Sequence, residues 1–251
     1  MSGMATSGIV FALMLGAALL GFVLRCILPE HHRSSESKEV VMRAIGYITT
    51  MATVVLSLLI ASAKNSYDTQ TGEITQLAAN VALLDRVLAH YGVEAKETRA
   101  DLRRLVARAI DQIWPQNRSR SAELDPALTP ADVLYDRIQA LSPTSESQRT
   151  LQAEALKIAA DLARMRALLH AQAGNSIPGP LLVILVFWAA VTFVSLGLYA
   201  PSNGTVIATL IVGALSMSAA MFLIMELAQP FQGFIRVSSA PLRSALAHLG
   251  Q

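Results

Sequence analysis

The chain has 251 residues, 53% of them apolar and only 15% charged, against about a quarter charged in a soluble globular domain, so something other than water must solvate much of it. Its net charge is +2, and no Arg or Lys run interleaves with aromatics, which argues against a nucleic-acid partner. The single cysteine, Cys26, excludes an intrachain disulfide framework and a four-thiolate metal site, and reads as an apolar filler near a helix end.

The apolar residues fall into four blocks, and nearly all the charge lies between residues 64 and 174 or in short connectors. A bilayer core about 30 Å thick needs about 20 apolar residues in a helix. The sequence supplies them at 7–28, 44–63, 177–200 and 205–225. Backbone groups in hydrocarbon must be satisfied internally, and the blocks lack the alternation of barrel strands, so the spans are predicted to be helices. The first block reads as a retained span, because no Lys or Arg precedes it and no small-x-small cleavage site follows. Arg25 sits close enough to its end to snorkel toward the headgroups. Glu30, His31 and His32 in the first turn resemble metal ligands in type, but adjacent residues on a short turn point apart. They read as a solvated interfacial cluster, and neither a metal nor another cofactor is expected.

In the second span Gly46, Thr50, Thr53, Ser57, Ala61 and Lys64 recur at steps of three and four, placing small and hydroxylated side chains on one face. Two explanations stay open: close packing between helices, or the lining of a water-filled pore formed by several copies.

Between the second and third spans the periodicity turns amphipathic. Ile74, Leu77, Val81, Leu84, Leu88 and Tyr91 form a coiled-coil-like seam that Gly92 interrupts. A segment from about 94 to 113 carries Leu102, Leu105, Ala109 and Ile113 on one face and ends at Trp114-Pro115. Thr129, Pro130 and Asp132 read as N-cap, N1 and N3 of a short helix running to about Leu141, stopped by Ser142-Pro143. Leu151, Ala155, Ile158, Leu162, Met165 and Leu169 make another stripe, ended by Gly174-Asn175, and Pro178 and Pro180 mark entry into the third span. His90 and His170 read as helix-surface residues.

The connectors 29–39 and 201–204 are too short to be anything but turns between spans. The chain is therefore read as an all-α integral membrane protein of four transmembrane helices: a first hairpin at 1–63, a soluble helical stalk domain at 64–175, a second hairpin at 176–228 and a C-terminal tail at 229–251. The N-terminus, the stalk domain and the tail share one side of the membrane. Basic residues flank both sides almost equally, so the positive-inside rule leaves orientation open. No nucleophile elbow, phosphate-binding glycine loop or paired-histidine motif is present, and Glu226 and His248 make no recognisable acid–base pair, so no enzyme is expected. Glu226 lies at the end of the fourth span, where an acid near hydrocarbon is either a functional group or an interfacial anchor.

Three separated motifs carry a family resemblance. The segment from Glu226 through Pro230, Phe231 and Arg236 to Val237, followed by Pro241-Leu242, resembles the C-terminal signature of the bacterial bestrophin-like family of unknown function. So does Ala63-Lys64-Asn65-Ser66-Tyr67-Asp68, and the turn Leu28-Pro29-Glu30-His31-His32 is similar to that family's first turn. The resemblance implies a homo-oligomer, a pentamer in bestrophins, around a pore lined by the second span. It also implies an anion channel for ions such as chloride, in contact with membrane lipids, with the N-terminus, stalk domain and tail cytoplasmic in a bacterial inner membrane. Thr50, Thr53, Ser57 and Lys64 would then face the axis. The phenylalanines that narrow bestrophin pores are missing from the second span, so a constriction would fall to Met51, Val54, Val55 or Leu58. The acidic cluster that follows the Pro-Phe pair in animal bestrophins is also missing after Pro230-Phe231, where Gln232 and Gly233 stand, so no comparable calcium site is expected. The rival reading is a membrane-anchored sensor or scaffold acting through its stalk, without transport.

Overall fold

The computed structural model describes residues 3–29, 34–114, 130–172, 179–201, 203–231 and 233–250. In chain order the helices are α1 (Gly3–Ile27), α2 (Ser35–Tyr91), a short 3-10 turn (Val93–Ala95), α3 (Lys96–Ile113), α4 (Pro130–Gln139), α5 (Glu146–Gln172), α6 (Gly179–Tyr199), α7 (Gly204–Leu227) and α8 (Ala240–His248). Among the described residues there is no strand. Residues named above that lie outside them are Glu30, His31, His32, Pro115, Thr129, Gly174, Asn175, Pro178 and Gln232. The chain divides into two compact units, Met1–Ser66 with Ser176–Ala228, and Tyr67–Asn175 with Gln229–Gln251. The division falls inside α2: the second apolar block is no separate helix but the first part of an unbroken 57-residue one.

In unit 1, α1, α2, α6 and α7 are each long and apolar enough to cross a membrane. Helices in lipid gain nothing by burying leucine against leucine, so they associate where small residues let backbones touch. α1 packs against α6 and α7 on this principle, burying Ala17, Ala18 and Gly21 and meeting Gly197 of α6. A Cβ on Gly21 would stand 2.1 Å from the Val194 carbonyl oxygen, and one on Gly197 would stand 2.3 Å from that of Ala18. Both positions therefore require glycine. Ser218 of α7 donates to the Ser7 carbonyl at 2.8 Å, and Arg25 donates to the Ala200 carbonyl just past α6, where a cation also complements the helix dipole. Asn203 caps α7 by accepting from the Val206 amide at 2.9 Å.

Unit 2 has a core built as in a water-soluble bundle. Ile74, Val81, Leu84, Leu88 and Tyr91 of α2 are buried together with side chains of α3, α4, α5 and α8, as their heptad-like spacing predicts. In α3 the buried stripe is Thr98, Leu102, Val106 and Ile110. Leu105 and Ile113 lie at its margin, so the helix is rolled from the face first inferred. α2 stops at Gly92, whose φ of 128° only glycine adopts without strain. Two glutamines of α5 satisfy the carbonyls that helix ends leave open: Gln148 donates to the Tyr91 carbonyl at 3.1 Å, and Gln152 donates to those of Ile138 at 2.9 Å and Leu141 at 2.8 Å. The tail, read from sequence without structure, contains α8, which packs on α3 and buries Leu242 and Ala245.

Asp85 of α2 joins three segments of unit 2. It accepts from Arg99 Nε and Nη2, both at 2.8 Å, and from the Gly250 amide at 3.2 Å. Burial alone would raise the Asp85 carboxyl, but the Arg99 hydrogen bond, the Gly250 amide and the Arg99 charge outweigh it and hold the carboxyl below its usual range.

Two outcomes follow for the detergent-solubilised chain. Gly21→Val forces the α1 and α6 backbones apart, and overpacking of about 1–3 kcal/mol should lower its thermal midpoint, with Gly8→Val, where a side chain meets open space, as the neutral comparison. Asp85→Asn should cost roughly 3 kcal/mol at neutral pH, since it leaves Arg99 without its anionic partner. A folded-state carboxyl held low contributes stability above the unfolded value, about 3.9, and loses it as pH falls through the lowered one. Melting curves of wild type and variant should therefore converge only at acidic pH, below the ordinary aspartate range.

Candidate functional site

The membrane portion of α2 has three faces. With 3.6 residues per turn, Ile45, Leu59 and Ala63 share one of them, and these three are buried by the chain itself. A second carries Gly46, Thr50, Thr53, Ser57 and Lys64, all exposed. Tyr47, Met51, Val54 and Leu58 form the third, rotated by roughly 100° from the second, and they are exposed too, Tyr47 at 75% and Leu58 at 64%. Only 11% of the apolar window of α2 is buried, less than in any of α1, α6 and α7.

The structure thus brings Thr50, Thr53, Ser57 and Lys64 together on one face, and sets Met51, Val54 and Leu58 on another. Val55 is half-buried. One helix cannot turn both faces toward the same axis. The hydroxyls also have a defined orientation: Thr50 Oγ1 donates to the Gly46 carbonyl at 2.9 Å, Thr53 Oγ1 to that of Thr49 at 2.8 Å and Ser57 Oγ to that of Thr53 at 2.8 Å. Each donor is turned back on its own helix, so lone pairs face outward. An anion could be bound by these hydroxyls only if they rotate away from the backbone. The charged side chains of this face include Lys64 and, toward the start of α2, the Glu39–Arg43 pair.

The two motifs that flank the unit boundary serve local architecture. Tyr67 donates through its hydroxyl to the Arg236 carbonyl at 3.3 Å. The Val237 amide donates to the Pro230 carbonyl at 2.7 Å, and Arg236 Nε donates to that of Gly233 at 2.8 Å, closing 230–237 into a tight loop. Trp114 holds that loop: its indole N–H donates to the Val237 carbonyl at 2.8 Å, and its ring meets Phe231 edge-on with centroids 6.1 Å apart. Pro230 and Phe231 are thereby buried. Asn65 and Asp68 are exposed and Ser66 is half-buried. Sequence reasoning took Trp114 only as a helix end; a tryptophan at the foot of an amphipathic helix, with a Pro-Phe pair elsewhere, was the available signal for an aromatic anchor.

Glu226, in unit 1, is 4% exposed. Its Oε1 lies 3.1 Å from where a Cβ on Gly3 would stand, which sets the carboxylate against the first turn of α1, where helix amides concentrate positive potential. It is packed among the helices of unit 1. Among the described residues no three His, Cys, Asp or Glu converge as a metal site would need.

No curated protein and no solved structure matches this chain. The sequence profile of the bestrophin-like domain matches residues 10–242, which takes in most of α1, the other three apolar helices and both motifs just described. With only helices as regular structure among the described residues, four potential membrane spans and that near-complete match, the chain is a membrane protein, and it belongs to the bestrophin-like family.

Proposed function

We propose that the protein is a homo-oligomeric channel, conducting small anions such as chloride, in which copies of α2 surround the pore, and that it acts in transport and not as an enzyme. The observation that carries this reading is the three-sided surface of α2. One side is covered by the chain, and two chemically different sides are left bare. A helix in a closed ring has three such neighbours: its own subunit, the next subunit and the axis. Of the two bare faces the hydroxylated one is the better suited to water and the bulky apolar one to a neighbouring copy. Thr50, Thr53 and Ser57 then line the pore, and Lys64 sets positive potential at its mouth. Met51, Val54 and Leu58 face the adjoining copy. With its donors bonded to the backbone, the hydroxyl stripe wets the pore, and preference for anions rests mainly on the Lys64 ring.

Membership in the family supports five copies, a bacterial inner-membrane location and a cytoplasmic position for unit 2. The competing reading, a membrane-anchored sensor or scaffold, makes α2 a purely structural contact.

Purified full-length protein in planar bilayers under a salt gradient should give currents whose reversal potential follows chloride. Lys64→Glu should move that potential toward the cation value. Thr50→Leu and Ser57→Leu should reduce unit conductance several-fold, and Met51→Ala should leave it unchanged. Silence at high protein density would end the channel reading in favour of the scaffold; a conductance that responds to Met51→Ala and not to Ser57→Leu would place the apolar face on the axis.

A further inference from the structure

Unit 2 carries a solvent-open cleft of about 570 Å³, lined by α3 and by small residues from the end of α2 and the loop after α8, a volume within the roughly 300–1,000 Å³ of small-molecule sites. Its walls are Val93 and the small residues Ala89, Gly92, Ala100 and Gly250, which leave the space open, and its charged groups are Lys96, Arg99 and Arg103. Three features make it more than a solvated basic patch. The first is segregation: Lys96, Ala100 and Arg103 share one face of α3, while Glu97 and Asp101 lie roughly 100° or more around the helix. Asp101 is besides engaged by Arg104 and Arg137. The second is a fixed floor. Arg99 is held by Asp85, which also receives the Gly250 amide, so both walls of the cleft are tied to one carboxylate. The third is a fixed rim: in the 3-10 turn the Ala95 amide donates to the Gly92 carbonyl at 3.2 Å and the Lys96 amide to that of Val93, which holds Lys96 in place at the start of α3. Glu94 is the opposing charge at one edge, its Oε2 2.7 Å from where a Cβ on Gly92 would stand. Lys96 and Arg103 outweigh it.

We propose that this cleft binds a phosphate-bearing anion with at least two charged groups, a diphosphate being the smallest that fits, held by Lys96 and Arg103. The two cations are seven residues apart, about 10 Å along the helix axis, so their long stems can reach separate phosphoryl groups, whereas a chloride ion would engage only one. Among the described residues no aromatic ring lines the cleft, so recognition is of the phosphates and not of a base. The diphosphate chemistry occurs in soluble nucleotides and in phosphorylated lipid headgroups. The proposal does not depend on whether α2 conducts.

The test uses the full chain in phosphatidylcholine nanodiscs, titrated calorimetrically with inorganic pyrophosphate at constant ionic strength. Saturable binding is expected. Lys96→Gln with Arg103→Gln should weaken it about tenfold or more, as loss of charge-assisted hydrogen bonds requires. Lys96→Arg with Arg103→Lys should retain it, and Arg86→Gln, an exposed cation on α2 outside the cleft, should leave it unchanged. Repeating the titration with a phosphoinositide in the nanodisc separates the sources: competition that depends on Lys96 and Arg103 identifies a headgroup, and undiminished affinity identifies a soluble ligand. Absence of saturable binding, or equal affinity in the double glutamine variant, overturns the proposal.

Discussion

In unit 1 the constraint from which the rest follows is that hydrocarbon solvates leucine as well as another helix does. Association has to come from close backbone approach and from a few hydrogen bonds. α1 meets both demands at once. Gly21 and Gly197 let its backbone touch that of α6, and Ser7 receives the Ser218 hydroxyl of α7. A segment of the same apolarity without such a face has no reason to be buried by its own chain. The membrane portion of α2 is that segment, and its exposure is the physical root of the oligomeric proposal.

Water imposes the opposite economy on unit 2. Its apolar stripes gain about 25 cal/mol for each Å² removed from water, so five helical segments converge on one core. The remaining problem is polar: helix ends and a tail must be satisfied inside or beside that core. Gln148 and Gln152 answer the carbonyls, Asp85 answers Arg99 and the Gly250 amide, and Trp114 answers the Val237 carbonyl. The tail is thereby as much a part of this unit as α3 is. The motif containing Pro230 and Phe231 takes part in that docking.

Chemistry on the α2 face is set by hydroxyl orientation as much as by residue type. A threonine on a helix can donate to the carbonyl four residues earlier, and Thr50, Thr53 and Ser57 all do so. A stripe of this kind is compatible with water while discriminating weakly between ions. In the proposed channel selectivity would fall to full charges, which on this face include Lys64 and the Glu39–Arg43 pair.

Sequence alone determined the membrane class, the number of spans, the amphipathic seam at Ile74–Tyr91 and the stop at Gly92, because each rests on local composition or on a period of 3.6 that needs no partner. It also sufficed to group Thr50, Thr53, Ser57 and Lys64, since positions three and four apart on one helix share a face whatever surrounds them. The tertiary structure decided the rest. That Gly21 and Gly197 are a backbone contact, that α3 buries Val106 and Ile110 in preference to Ala109 and Ile113, that Trp114 reaches Phe231, and that Arg99 pairs with Asp85 all depend on contacts between different elements. Periodicity records which face of a helix is apolar, but not what stands opposite it. The separation of Met51, Val54 and Leu58 from the hydroxyl face was implicit in helix geometry, yet it gained meaning only once burial of Ile45, Leu59 and Ala63 showed which third of α2 the chain itself covers.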